Sequence, residues 1–370
     1  MKFSLPKSRL ASGLQSILQV VPTKSTLPIL TNILVEALEN KLKISATDLD
    51  ISITVTVECA VTKKGSAVLP ARILFEIIKE LPESEITVEA INARVEIKIP
   101  NGSYKIAAIS AEDFPKLPAV NTKKEIPVPA KELVQMIRKT TFACSTDETR
   151  PALNGVLWQT KADRMQMVAT DGHRLARMSS DNSKLKGMSA DVIIPPKVLN
   201  LIPKFAESGV AEVGIIFGES NIIFTIGETV LTSRLIEGPY PNFEQVIPAS
   251  NDKKLVINKE ELAGAVRRVS ILSNALTHQV KFSLKKGSLS LSTSNADVGG
   301  EGRETLDCDY NGEGMEIGYN ATYIVEILGK LDGGEAIFEL SSAVAAGIVY
   351  SPTVSKEDYL CLVMPLRLAD

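Results

Sequence analysis

No stretch of the 370 residues approaches the roughly 18 consecutive apolar residues that a helical membrane span needs, which excludes that class. The first residues, MKFSLP, lack the apolar core of a secretion signal. Cysteine is scarce: Cys59, Cys144, Cys308 and Cys361 are far apart, with no CxxC pair. Such spacing points to reduced thiols in a cytoplasmic protein and gives no zinc site. Only two histidines occur, His173 and His278. There is no GxSxG, P-loop or HExxH, no GxGxxG after a suitable strand, and the carboxylates form no paired arrangement. These absences predict a protein without catalytic residues, bound metal or cofactor. A basic excess is also missing. The net charge is −3, which tells against a nucleic-acid binder unless the charge is unevenly distributed.

What the sequence does contain is repetition, the first thing to look for in a chain too long for a single core. Segments 3–10 (FSLPKSRL), 126–133 (IPVPAKEL) and 255–262 (LVINKEEL) open alike, 123 and 129 residues apart. A second landmark follows in step at 46–50 (ATDLD), 169–173 (ATDGH) and 292–297 (STSNAD), and a third at 69–74 (LPARIL), 194–199 (IPPKVL) and 318–323 (GYNATY). The boundaries expected are 1–122, 123–252 and 253–370, with polar linkers at 118–125 and 248–254. Within a copy, Leu10, Leu14, Ile17, Leu18 and Val21 make one helical face. Alternating runs such as 51–57 and 86–91 read as half-buried strands, and the segment from Pro70 to Leu81 as a second helix with proline in its first turn. Each copy is predicted to hold about eight strands and two helices in an α+β layout, a sheet packed on a helix pair.

The charge is indeed uneven. The expected helical segments 7–24, 71–80, 130–142, 196–207, 259–273 and 320–331 together carry +7, so the rest of the chain carries −10. If the helices share one surface, that surface attracts phosphates, and the contacts are salt-sensitive and blind to base sequence. On these segments Lys24, Arg72, Arg138, Lys139, Lys197, Arg267 and Arg268 are the candidate basic contacts.

Two further features stand apart from the repeat. Asp48 and Asp171 share one repeat position, with Asn295 at the third, and a Thr-Asp step at a strand end reads as a turn or cap. In the second copy that turn grows into the cluster 170–175 (TDGHRL), which suits binding better than metal ligation. The apolar C-terminus, 359–367 (YLCLVMPLR), reads as a buried last strand with an exposed tip, and Met364 suits an adaptable surface.

The triplication, the string 169–176 (ATDGHRLA), 240–243 (YPNF) and 363–368 (VMPLRL) together resemble the bacterial DNA polymerase III β subunit family, the replication sliding clamps, over the whole chain. The resemblance implies a non-catalytic processivity factor: a head-to-tail homodimeric ring of six domains, with helices lining the hole around duplex DNA and sheets on the rim. It matches Lys24 and Arg150 to DNA-contact positions, with Pro151 and Ala152 where relatives often carry aromatics. It implies a partner-peptide groove between the second and third domains, carried by Leu153, Thr170, Gly172, His173, Arg174, Leu175, Pro241, Val246, Val363, Met364, Pro365, Leu366 and Arg367. Gln245 stands where close relatives often have arginine. The groove would take short linear motifs, a glutamine with hydrophobic anchors, from the replicative polymerase, the clamp loader and repair proteins. Tyr104 and Ile106 match interface positions in the first domain, and Ile271 and Leu272 in the third. Glu301 and Glu304 are expected to add ion pairs across that seam. The alternative reading is a repeat-built scaffold that binds peptides and no DNA.

Overall fold

The computed structural model describes residues 1–118, 125–161, 164–181, 190–206, 209–295 and 299–368. Residues 119–124 of the first linker, Glu207 and Asp297 lie outside the described residues. The first copy runs β1 (Lys2–Pro6), α1 (Lys7–Ile17), β2 (Asn32–Leu38), β3 (Lys41–Thr47), β4 (Ile51–Glu58), β5 (Ala60–Lys63), β6 (Gly65–Pro70), α2 (Ala71–Glu80), β7 (Glu85–Ile91), β8 (Arg94–Ile99) and β9 (Gly102–Ala107). The second runs β10 (Ile126–Pro129), α3 (Ala130–Thr140), β11 (Val156–Lys161), β12 (Arg164–Thr170), β13 (Arg174–Asp181), β14 (Ala190–Ile194), α4 (Pro196–Leu199), α5 (Ile202–Ala206), β15 (Glu212–Phe217), β16 (Asn221–Ile226) and β17 (Thr229–Arg234). The third runs β18 (Lys253–Asn258), α6 (Lys259–Ser270), β19 (Gln279–Lys285), β20 (Ser288–Asn295), β21 (Gly300–Asp307), β22 (Asp309–Tyr310), β23 (Met315–Asn320), α7 (Ala321–Leu328), β24 (Glu335–Leu340), β25 (Gly347–Tyr350) and β26 (Tyr359–Val363). The order strand, helix, strands, helix, three strands thus recurs three times.

By contact density the chain forms two compact units, 1–133 with 197–235, and 134–196 with 236–370. In the first unit β4 pairs antiparallel with β17, so strands of two copies merge into one eight-stranded sheet, β10-β15-β16-β17-β4-β3-β2-β6. A five-stranded sheet, β5-β1-β7-β8-β9, accompanies it. In the second unit the same join recurs: β13 pairs antiparallel with β26 inside a nine-stranded sheet, beside the four-stranded sheet β21-β20-β19-β23.

The helices form for local reasons. In α1 the buried positions Leu10, Gly13, Leu14 and Ile17 follow the i, i+3, i+4, i+7 spacing of one face. Gly13 lets that face approach the sheet: a Cβ there would sit 3.0 Å from Val57 and 3.5 Å from Ile44. Each buried Leu or Ile on such a face contributes about 1.5–3 kcal/mol. Asn258 and Asn320 cap α6 and α7, their side chains accepting from the N–H groups of Glu261 and Thr322. The single helix expected over 196–207 is instead α4 and α5. Pro203 has no N–H to give to the Leu199 carbonyl, and its ring crowds that turn, so the helix breaks between them. The helix expected to run to Lys24 ends at Ile17, leaving Lys24 exposed in a loop.

Candidate docking groove and nucleic-acid face

The β12–β13 turn is built by its own side chains. Thr170 Oγ1 donates to the Arg174 carbonyl at 2.6 Å and accepts from the Gly172 N–H at 3.1 Å. Asp171 Oδ1 accepts from the N–H groups of His173 and Arg174 at 2.8 and 2.9 Å. Gly172 has φ +90°, a left-handed conformation that glycine adopts without steric cost. The Thr-Asp step is therefore a turn former, as its position at a strand end predicted.

The turn presents His173 beside the chain's last strand. β26 (YLCLV) is buried at every position, because β13 and β25 flank it and both its faces are covered. Where it leaves the sheet, the Met364 N–H donates to the His173 carbonyl at 2.8 Å, and the Met364 side chain becomes 37% exposed. The tail is then pinned. Leu366 N–H donates to the Gly318 carbonyl at 2.8 Å, and Gln279 Nε2 donates to the Arg367 carbonyl at 2.9 Å. Gly318 makes this approach possible, since a Cβ there would lie 2.7 Å from the Leu366 carbonyl oxygen.

Beneath this junction lies an apolar cluster of Leu157, Val168, Leu175, Ile193, Phe243, Ala346, Ile348, Leu360 and Leu362, with Ala152, Tyr240 and Ile247 partly buried against it. Of the predicted groove residues, Leu175 and Val363 are buried in the sheet and Leu153 is nearly so. Leu175 belongs to that cluster, whereas Val363 pairs opposite Arg174, so its side chain lies on the other face of the sheet. Gly172, His173, Pro241, Arg367 and Val246 (53% exposed) are open to solvent, while Thr170, Pro365 and Leu366 are half-buried. Burial pushes the Cys144 thiol up to about 12 and raises the Tyr240 hydroxyl well above its usual range, so both stay neutral next to the turn.

Arg174 departs from expectation. It is buried, and each of its three guanidinium nitrogens donates: Nε to Asp171 at 3.1 Å, Nη2 to the Phe142 carbonyl at 2.7 Å, and Nη1 to Glu326. Its Cζ also lies 4.5 Å from the Tyr323 ring centre and 5.3 Å from that of Phe142. The residue therefore braces the turn from behind. The sequence reading missed Tyr323, which stacks with His173 at 6.5 Å, as well as Glu326 and Phe142. Only Tyr323 left a trace in the sequence, as the end of the third landmark; the other two have no periodicity or motif to mark them.

The basic candidates divide. Arg72, Arg138 and Arg267 are exposed on α2, α3 and α6. Lys197 on α4 is exposed but paired with Asp48. Arg268 forms a two-point ion pair with Glu304, at 2.9 and 2.7 Å, which holds the Glu304 carboxyl below its usual range. Glu304 is thus engaged within its own chain, against the expected role across a seam. Lys139 is corrected outright as a phosphate contact. It is 5% exposed, pairs with Asp332 and lies 4.4 Å over the Tyr359 ring, so its charge serves the interior. Arg150 sits off the helices, paired with Asp147 at 3.0 Å and close against Gly172. The observed helices carry +6 in place of the expected +7.

The expected interface residues lie by two open sheet edges. Tyr104 is 41% exposed on the edge strand β9, while Ile106, two residues on, is tucked into the sheet core. Ile271 is 79% exposed at the end of α6, and Leu272 packs toward Gly302 on the edge strand β21. Among the described residues no group of three or more His, Cys, Asp or Glu side chains is placed to hold a metal, and no helix is long and apolar enough to cross a membrane.

Three family models cover nearly the whole chain: the N-terminal, central and C-terminal domains of the DNA polymerase III beta subunit, matching residues 1–118, 127–242 and 244–367. The beta sliding clamp of Chlamydia muridarum is 32% identical over the full length of both chains. A crystal structure of the Pseudomonas aeruginosa sliding clamp bound to griselimycin superposes with a TM-score of 0.94 at 30% identity, covering all of both chains. The Caulobacter crescentus beta sliding clamp with polyethylene glycol at a putative beta-motif tethering region does so at 0.94 and 32%, again covering both chains completely. With three clamp domains in their family order, this chain belongs to the DNA polymerase III β subunit family, the β sliding clamps.

Proposed function

We propose that two copies of this chain close head to tail into a ring of six domains, divided at 1–122, 123–252 and 253–370, that encircles duplex DNA and tethers the replication machinery to it. The subunit is a processivity factor and performs no chemistry on DNA itself. The observation that carries the ring is the recurring sheet join. The strand after the Thr-Asp or equivalent turn of one copy pairs with the last strand of the next: β4 with β17, and β13 with β26. By the same rule β21 seeks the last strand of a following copy, and β9 seeks the corresponding strand of a preceding one. Both are edge strands among the described residues. A second chain supplies each, twice over, and the assembly closes by rotation. Ile271 and Leu272 beside β21 and Tyr104 on β9 would be covered at that seam.

The exposed arginines on the helices would line the hole and attract phosphates without reading bases, so a net charge of −3 is compatible with sliding. A closed ring needs no tight contact. The groove at the β13–β26 junction would accept short linear motifs, a glutamine with hydrophobic anchors, from the polymerase, clamp loader and repair proteins in the cytoplasm. Its neutral apolar floor suits the anchors and the pinned tail sets the rim. Loading onto nicked circular DNA tests the reading. The protein should stay on the circle and be lost when the circle is linearised, and equal release from both templates would refute topological holding.

A further inference from the structure

The turn that carries the groove is built a second time, in the other compact unit. Residues 47–52 (TDLDIS) repeat 170–175 (TDGHRL) hydrogen bond for hydrogen bond. Thr47 Oγ1 donates to the Ile51 carbonyl and accepts from the Leu49 N–H, each at 3.0 Å. Asp48 Oδ1 accepts from the N–H groups of Asp50 and Ile51 at 3.1 and 2.7 Å. Even the junction contact recurs: the Arg234 N–H donates to the Asp50 carbonyl at 2.9 Å, as Met364 does to His173.

The residues at these equivalent places differ in chemistry. Arg234 stands where the groove has Met364, Asp50 where it has His173, and Leu49 where it has Gly172. Leu49 has φ +82°, a left-handed conformation that disfavours a side chain, and it is 44% exposed. A cavity of about 280 Å³ opens at this turn, lined among others by Leu49, Asp50, Pro115, Lys116 and Arg234. Arg234 and Lys116 are exposed and enter no ion pair among the described residues. With Asp50 counted, the lining carries a net positive charge inside an acidic protein.

We propose that this cavity is a second docking site, for a short acidic segment of a partner protein. A carboxylate would bind the Arg234 fork with Lys116 nearby, and an apolar side chain would rest on Leu49 and Pro115. The analogy rests on the peptide-docking reading of the first groove, but the site's charge selects a different ligand. The test uses the full-length protein and a fluorescein-labelled Gly-Leu-Asp-Leu-Gly peptide in fluorescence polarisation.

Saturable binding is expected, unaffected by a saturating glutamine-bearing groove peptide. It should weaken at least tenfold on Arg234→Ala, and equally when the peptide's Asp becomes Asn. Retained binding of the groove peptide by the Arg234→Ala protein shows that it is folded, and Met364→Ala should weaken only the groove peptide. The proposal falls if no saturable binding appears up to about 1 mM, if the Asn peptide binds as well, or if the groove peptide displaces the acidic one. It also falls if an oligo-dT strand binds at Arg234 in preference to the peptide, which would make the pocket a nucleic-acid contact. Failure of the groove peptide to bind the unmodified protein would instead remove the groove reading and leave the acidic-peptide result to stand by itself.

Discussion

Single residues in this chain do more than their types announce. Arg174 looks like a binding arginine in the sequence, yet all three of its guanidinium nitrogens are already donating, and two aromatic rings enclose it. Gly318 looks like a neutral spacer, yet it is the surface on which the C-terminal tail lies. Substituting Gly318→Ala should push the tail away, lower groove-peptide affinity about tenfold in polarisation assays, and leave the sedimentation mass unchanged. Lys139 and Arg267 make a contrasting pair. Lys139→Ala removes a buried side chain that packs over the Tyr359 ring, while the half-exposed Asp332 stays hydrated, and should cost about 1–2 kcal/mol in denaturant unfolding without changing the salt dependence of DNA binding. Arg267→Ala should leave stability alone and reduce the log–log salt slope by about 1 for each phosphate that Arg267 neutralises.

The Arg268–Glu304 pair adds a pH dependence. The Arg268 hydrogen bonds hold the Glu304 carboxyl below its ordinary value. A carboxylate whose folded value is depressed contributes stability above its unfolded value, about 4.3, and that contribution is lost as pH falls through the folded value. Carboxyl NMR should therefore place the Glu304 midpoint below that of a free glutamate, and Arg268→Ala should bring it back up.

At the scale of elements, pattern and backbone chemistry explain most of the result. The faces of α1 and α2 follow their apolar spacing, and β26 is a continuous apolar strand because neighbours cover both sides. The failures are equally physical. One proline splits the expected fourth helix into α4 and α5. The amphipathic pattern beyond Ile17 continues through Leu18 and Val21, but those residues pack from a loop rather than a helix. Helical charge shows the same limit. Counting Lys and Arg along a segment cannot tell Lys139, turned into the interior, from Arg138 next to it, because one residue step rotates a helical side chain by roughly 100°.

For the whole molecule, the recurring join of one copy's sheet to the next makes closure a matter of two unfilled edges. The double substitution Ile271→Ala with Leu272→Ala removes apolar area beside β21, and sedimentation should show the mass moving from dimer towards monomer. An unshifted mass would place the seam elsewhere. The proposed groove and its proposed charged counterpart both lie where strands of successive copies pair, since that is where a turn, a strand end and a following loop converge.

The amino-acid sequence by itself determined the threefold repeat, the order of strands and helices within each copy, the turn chemistry of the Thr-Asp steps and the opposed charges of helices and remainder. All of these are local or periodic, and so are written in neighbouring residues. It did not determine which cations face outward, that Arg174 is a brace, that Glu304 is already paired, or that the tail rests on Gly318. Apart from the Asp171 contact of Arg174, those depend on groups separated by between 32 and 193 positions in the chain, such as Arg174 with Phe142, Arg268 with Glu304 and Lys139 with Asp332. Burial and partner choice at that range are set only when the sheets close, because the cost of leaving a buried charge unpaired is settled by whichever distant side chain the fold brings to it.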